Sequence, residues 1–277
     1  MQSFDQGTAA GQKGFKSNGL PLADKVAVVV GAGRGIGRAT AKRLASVGAR
    51  VIVVSRTPSE LEEVAAEIQA DGGRAISRVA DITRFEDVQS LADFVRVAYG
   101  RVDVLVNSAG ASLIAALDAT TPTEWDRIMD TNLKGPYLCI WAMLDLLRAS
   151  TSGQVVNIAS KVGLTGHKLV SAYSAAKAGL IGFSRSLAHE LRSDNVRVVV
   201  ICPGPVDTPM RWAATPDLDP RMAISASTVA DTILFLVTLD SAATAREIVL
   251  EAIEYDEKAV PIEASQHPVS RSSPVFG

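Results

Sequence analysis

Short runs of β-branched residues alternate with longer stretches of helical periodicity along most of this chain, and that alternation restricts the fold more than any other feature. The runs Lys25–Val30, Arg50–Val54, Ala75–Val79, Val102–Val106, Gln154–Ile158 and Val196–Ile201 are nearly continuous in hydrophobicity. Strands buried on both faces have that character. Between them, Ile36–Val47, Ser59–Ala70, Phe85–Ala98, Thr123–Leu147 and Ala172–Arg192 carry the helical period. Strands and helices in strict alternation require parallel strands joined by right-handed crossovers. The expected fold class is therefore α/β: a doubly wound parallel sheet with helices on both faces. A loop-rich stretch follows to about Ala226, marked by Pro203, Gly204, Pro205, Pro216 and Pro220. A helix over Ser227–Leu239 and a strand over Glu247–Ile253 then complete the sheet.

One such sheet makes one domain, expected over residues 21–256. The length of 277 residues fits a single domain of this class, and an apolar content of 47% supplies its core. Residues 1–20 are rich in Gly, Ser and Gln and read as a disordered leader; residues 257–277 read as a flexible tail. A net charge of −2 gives no global attraction to nucleic acid or anionic membranes. No apolar run approaches the roughly 20 residues that span a bilayer. The expected location is the cytoplasm. The two cysteines, Cys139 and Cys202, are far apart and read as small buried hydrophobes of a reducing compartment. Three unclustered histidines make a metal site no part of the expectation.

The first strand runs into Gly31-Ala32-Gly33-Arg34-Gly35-Ile36-Gly37, which leads into a helix. In that setting glycines permit a tight turn and let the backbone approach a pyrophosphate seated on the helix N-terminus. The second strand ends in Ser55-Arg56, with no acid at the position that would bind the ribose hydroxyls of NAD. Arg34 and Arg56 there suit a 2′-phosphate, so NADP(H) is the expected cofactor; solvated surface charge is the plainer alternative.

Further along, Tyr173 and Lys177 stand at i and i+4, on one face of a helix. Ser160 follows the fifth strand at its carboxyl end, where ligands bind in open α/β sheets, and a flexible loop over Lys161–Ser171 is expected between it and Tyr173. A hydride delivered to a carbonyl carbon leaves an alkoxide that needs a proton, and the reverse reaction needs a base. Tyrosine, with a reference pKa of about 10, is a poor base near neutrality. A lysine ammonium about 5 Å away at an effective dielectric of ~20 favours tyrosinate by roughly 3 kcal/mol, or about two pKa units. Ser160 would hold the substrate oxygen beside the Tyr173 hydroxyl.

The Gly31, Gly35, Gly37 spacing and the ordered Ser160, Tyr173, Lys177 set resemble the short-chain dehydrogenase/reductase family, whose fold is Rossmann-like. The resemblance spans about Lys25 to Ile253, although Val30 stands where the family has Thr, and Glu247–Ala252 departs from its usual terminal turn. It implies that Lys177 also binds the nicotinamide ribose, and that Asn132 holds a water linking Lys177 to solvent. Asp81 and Ile82 would lie beside the adenine, although Asp81 could equally cap the following helix. Asn107, Ala109 and Gly110 would lie against the adenosine ribose, unless they only form a turn. Pro203, Gly204, Val206 and Thr208 would face the carboxamide. The helices Lys134–Leu147 and Ala172–Arg192 would form the faces of a homodimer or homotetramer.

The substrate implied is a small ketone or alcohol in a mostly apolar pocket walled by Leu113, Ile114, Leu164, Leu169, Met210 and Trp212. Lys161, His167, Lys168 and Arg211 read as solvated loop charges more readily than as anion contacts. Three alternatives stay open: a 3-oxoacyl-thioester reductase docking a carrier on Arg185, Arg192 and Arg197; an NAD-dependent alcohol dehydrogenase; and a non-catalytic dinucleotide sensor.

Overall fold

Seven parallel strands make the central sheet of the computed structural model, which describes residues 19–240 and 242–255. In chain order the elements begin β1 (Val26–Val30), α1 (Gly35–Ser46), β2 (Arg50–Ser55), α2 (Pro58–Ala70), β3 (Arg74–Val79), α3 (Phe85–Tyr99) and β4 (Val104–Asn107). They continue with α4 (Pro122–Met129), α5 (Gly135–Arg148), β5 (Gln154–Ile158), α6 (Val162–Thr165), α7 (Ser171–Glu190) and β6 (Arg197–Pro203). The last are β7 (Val206–Asp207), α8 (Pro209–Ala214), β8 (Ile224–Ser225), α9 (Ala226–Val237) and β9 (Glu247–Leu250). The sheet order is β3-β2-β1-β4-β5-β6-β9, every pairing parallel. The chain reverses its winding between β1 and β4, and the crevice at that switch point is where ligands bind in such sheets.

Alternation along each strand divides the core in two. Ala27, Val29, Val51, Val53, Val104, Val106, Val156, Ile158, Val199 and Ile201 face α1, α2 and α9. Their neighbours Val28, Val30, Ile52, Val54, Leu105, Val155 and Val198 face α3, α5 and α7. Both faces are covered, which is why the central strands read as unbroken apolar runs. Strand β3 departs from that pattern because it is an edge: Ile76 and Val79 are exposed.

Beneath the sheet, at the end away from the carboxyl termini of the strands, Asp103 gathers a buried polar cluster. Its carboxylate accepts from Val26 N (2.8 Å), Ser150 Oγ (2.7 Å), Arg101 Nε (3.0 Å) and Lys25 Nζ (3.1 Å). Burial pushes its pKa up, but those donors outweigh it and hold the carboxyl below the usual range.

Four expectations change. The helix expected over Thr123–Leu147 is interrupted by a π-helical turn, Asp130–Lys134, between α4 and α5. Glycine at 135 allows it, since a side chain there would meet Ile82 within 2.6 Å. The Lys161–Ser171 segment, expected as a flexible loop, contains α6. Proline and glycine in 203–226 do not leave that stretch irregular: β7 and β8 pair there as a small second sheet, and α8 lies between them. The last strand stops at Leu250 rather than Ile253. The expected leader, apart from Gly19 and Leu20, and the expected tail lie outside the described residues.

Candidate active site

The loops that leave β1, β4, β5 and β6 at their carboxyl ends meet along one cleft of about 360 Å³. Its floor is the glycine loop. Gly31 has φ +77°, and a Cβ there would lie 2.5–2.9 Å from the backbone of Ser108 and Ala109. A Cβ on Gly37 would collide with the Gly31 carbonyl, so that glycine serves helix–loop packing rather than lining the cleft. Gly35, at φ +55°, lies against the Thr208 side chain, which brings the start of α1 to the end of β6. Helix α1 carries no acidic residue in its first turn and no side-chain cap at Arg34, and Gly35 and Ile36 line the cleft. Its first N–H groups suit an anion, and the close backbone approach fits a pyrophosphate. A dinucleotide fits these residues.

At the end of β2, Ser55, Arg34 and Arg56 line the cleft as expected. Two carboxylates modify that picture. Arg56 pairs with Asp81 at 3.7 Å. Glu60, which no cofactor-binding motif singles out, also lines the cleft, close enough that a Cβ on Gly33 would touch it. The acid missing from the strand end thus arrives from the first turn of α2. Thr57-Pro58-Ser59-Glu60 has the capping-box pattern, but Thr57 makes no side-chain cap bond, which leaves Glu60 turned to the cleft. The matching pattern at Thr121–Glu124 does close into a full capping box.

Asp81 Oδ1 accepts from Thr83 N (3.0 Å) and Thr83 Oγ1 (2.8 Å), which fixes the turn after β3. It does not cap α3, which starts beyond Arg84. Both Asp81 and Ile82 line the cleft, as do Ala109 and Gly110. Asn107 does not. Its side chain is buried in the sheet, Nδ2 donating to Asn157 Oδ1 (2.8 Å), while Asn157 donates to Ser184 Oγ (2.9 Å). Asn107 is the last residue of β4, so its side chain packs within the sheet and not on the cleft wall. Pro203, Gly204, Val206 and Thr208 all line the cleft.

Ser160, Tyr173 and Lys177 converge on its chemical end. Lys177 Nζ is 5.6 Å from the Tyr173 ring centre and donates to Ile158 O at 2.8 Å. The Ser160 hydroxyl is close enough to the phenol to pull its pKa down. Electrostatics depart from the sequence expectation. Burial pushes the Tyr173 phenol up to about 12, with Ser160 and then Arg211 pulling the other way. Burial also pulls the Lys177 ammonium down to about 8. A neighbouring ammonium favours the phenolate, but burial disfavours the charged form of both groups, and desolvation is the larger effect here.

Asn132 is fully buried in the π-helical turn, which rotates its amide onto backbone. Nδ2 donates to Ala111 O (2.8 Å) and Ile128 O (2.9 Å), and Oδ1 accepts from Ala111 N (3.3 Å). It lies beside Gly110, as does Lys177 Nζ, but it is not on the cleft wall. It braces the Gly110–Ala111 backbone rather than facing the cavity.

Leu113, Ile114 and Met210 line the chemical end as expected, joined by Val162, Val170 and Thr215. Leu164, Leu169 and Trp212 do not; Trp212 Nε1 instead donates to Asp207 Oδ1 (2.7 Å). Lys161 pairs with Glu251 at 2.5 Å. Arg211 is not a solvated loop charge: its Nε and Nη2 atoms are buried, and burial lowers its pKa.

Among the described residues, no group of His, Cys, Asp or Glu could hold a metal, and no helix is long and apolar enough to cross a membrane. The short chain dehydrogenase family model matches residues 25–219. An uncharacterized oxidoreductase of Staphylococcus saprophyticus is 39% identical over 208 residues, covering 73% of this chain and 88% of that protein. A 3-oxoacyl-[acyl-carrier-protein] reductase of Synechocystis is 40% identical over 190 residues, 68% of this chain and 77% of the relative. A solved metagenomic short-chain oxidoreductase in complex with NADP superposes with a TM-score of 0.73 at 36% identity, covering 83% of this chain and 97% of that one. This chain belongs to the short-chain dehydrogenase/reductase family of oxidoreductases.

Proposed function

We propose that the protein is an NADP(H)-dependent oxidoreductase that interconverts a carbonyl and a secondary alcohol, with Tyr173 as the proton donor or acceptor. The meeting of Ser160, Tyr173 and Lys177 at one end of a cleft floored by the glycine loop carries this reading. The Gly31–Gly35 loop and the start of α1 hold the pyrophosphate, Arg34, Ser55 and Arg56 the 2′-phosphate, and Lys177 with the Pro203–Thr208 backbone the nicotinamide half. When bound, the nicotinamide supplies or accepts the hydride.

The chain's own side chains handle the proton. Ser160 Oγ holds the substrate oxygen, and the phenol, kept protonated by burial, donates to that oxygen as charge develops on it. Lys177, fixed by Ile158 O, keeps a positive charge beside the phenol below about pH 8 and so eases its ionisation. A homodimer fits the exposed aromatic strip of Phe85, Tyr137 and Trp141 on α3 and α5.

The Synechocystis relative favours acyl thioesters as a second substrate class. The arginines a carrier would dock on give that little support. Arg185 pairs with Glu247 at 2.7 Å, and Arg197 donates to the carbonyls of Asp240 and Ala243, both at 2.9 Å. A Tyr173→Phe variant tests the mechanism: it binds NADPH, followed by cofactor fluorescence, but loses at least about 10²-fold in turnover of a ketone panel. Turnover that survives the substitution refutes the role given to Tyr173.

A further inference from the structure

The structure assigns to Arg211 the recognition of a carboxylate on the substrate, which makes the preferred substrates short oxo acids or their hydroxy-acid counterparts. The inference deepens the carbonyl reductase reading and rests on it.

The adenosine end of the cleft mixes charges, with Arg34 and Arg56 beside its acids, whereas the chemical end is basic. The cleft's described acidic lining residues, Glu60 and Asp81, stand at the adenosine end. The chemical end is lined by Lys161, His167, Lys177 and Arg211. Three of these have assigned partners: Lys161 pairs with Glu251, Lys177 donates to Ile158 O, and His167 Nδ1 lies 3.2 Å from Lys168 O. Arg211 is different. Its Nε and Nη2 atoms are removed from solvent and meet no acceptor.

A buried guanidinium edge without an acceptor is costly to a fold, so a site that keeps one is shaped for an anionic visitor. Nε and Nη2 are the adjacent donors on one edge of the guanidinium. That edge receives a carboxylate through two parallel hydrogen bonds. The backbone that carries the side chain is anchored. Helix α8 is capped by Thr208 Oγ1, which accepts from Arg211 N at 3.3 Å, and Arg211 O accepts from Thr215 N at 2.9 Å. Arg211 and Tyr173 both line the cleft, and the guanidinium is close enough to pull the phenol's pKa down. A carboxylate seated on Arg211 is therefore close to the carbonyl presented to Ser160 and Tyr173. Leu113, Ile114, Val162 and Met210 supply apolar walls for the few carbons between.

The test uses 2-, 3- and 4-oxo carboxylates of four to eight carbons and their methyl esters, assayed by NADPH consumption. Expected kcat/KM for the best acid is at least tenfold above its ester, and Arg211→Gln brings that ratio to about one while Arg211→Lys keeps part of it. Calorimetric titration of the same acids into the NADP⁺-loaded protein reads the contact without turnover; acid binding tenfold weaker in Arg211→Gln supports the assignment. Esters that match acids in the wild type, in rate or in binding, overturn it. So does a loss of NADPH affinity in Arg211→Gln equal to the loss for acids, which would place the guanidinium on a cofactor phosphate. Failure of every acid and ester to turn over would sink the reductase reading instead, while the titration would still decide the carboxylate contact.

Discussion

Gly31→Ala tests the claim that the β1 and β4 loops touch backbone to backbone beneath the cofactor. Two costs can be separated. A non-glycine residue at φ +77° costs about 1–2 kcal/mol from the left-handed backbone alone. The new Cβ would also lie 2.5 Å from Ala109 N and 2.6 Å from Ala109 Cα. These are backbone atoms with no rotamer to escape into, so overpacking adds roughly 1–3 kcal/mol. Gly72→Ala is the internal control: its φ is +81°, but nothing lies within 4 Å of the added carbon. That variant carries the backbone cost and no overlap. At about 2–4 °C per kcal/mol for a chain of this size, Tm falls by roughly 4–20 °C for Gly31→Ala and roughly 2–8 °C for Gly72→Ala. Urea unfolding of the two variants side by side measures the difference, and NADPH titration should show weakened binding only for Gly31→Ala. Equal midpoints would refute the close approach, because the backbone term is common to both.

Glu60→Gln removes a carboxylate from the end of the cleft assigned to the 2′-phosphate; NADPH binding should tighten about fivefold, for roughly 1 kcal/mol of repulsion relieved, with NADH little changed. An unaltered NADPH affinity would move the 2′-phosphate elsewhere. Lys177→Met should abolish turnover yet raise stability at pH 7. The folded ammonium releases its proton near pH 8 against 10.5 unfolded, so the penalty of burying it is full below pH 8 and fades between about 8 and 10.5. The gain over wild type, about 1–2 kcal/mol after losing the bond to Ile158 O, should shrink across that window in urea midpoints. Asp103→Asn should cost about 2–3 kcal/mol at neutral pH through its lost charged hydrogen bonds. Since the folded carboxyl ionises below 3.8, the wild type's advantage is present above that value and disappears as pH falls through the lowered one. A difference unchanged down to pH 2 would count against the network.

The strands and helices were legible in the sequence because both rest on local periodicity. Val28, Val30 and Ile52 face one helical layer while Val29, Val51 and Val53 face the other, so both faces had to be apolar and the runs could not be mistaken for surface strands. The glycine loop and the Tyr173, Lys177 pair were legible for the same reason: a tight turn and a one-turn spacing are short-range properties. What the sequence could not carry was the company each side chain keeps. Asn107 and Asn132 looked like cleft residues, and tertiary packing turned both amides onto neighbours inside the protein. No cofactor-binding motif singled out Glu60, and Arg211 looked like a loop charge; folding left the one turned to the cleft and two nitrogens of the other buried without acceptors. Desolvation, which moved Tyr173 to about 12 and Lys177 to about 8, exists only once distant segments have closed over a group. Pattern along the chain determined where the elements are, because it follows from neighbours three or four residues apart. Burial and partnership were decided in three dimensions, because they depend on residues tens of positions away.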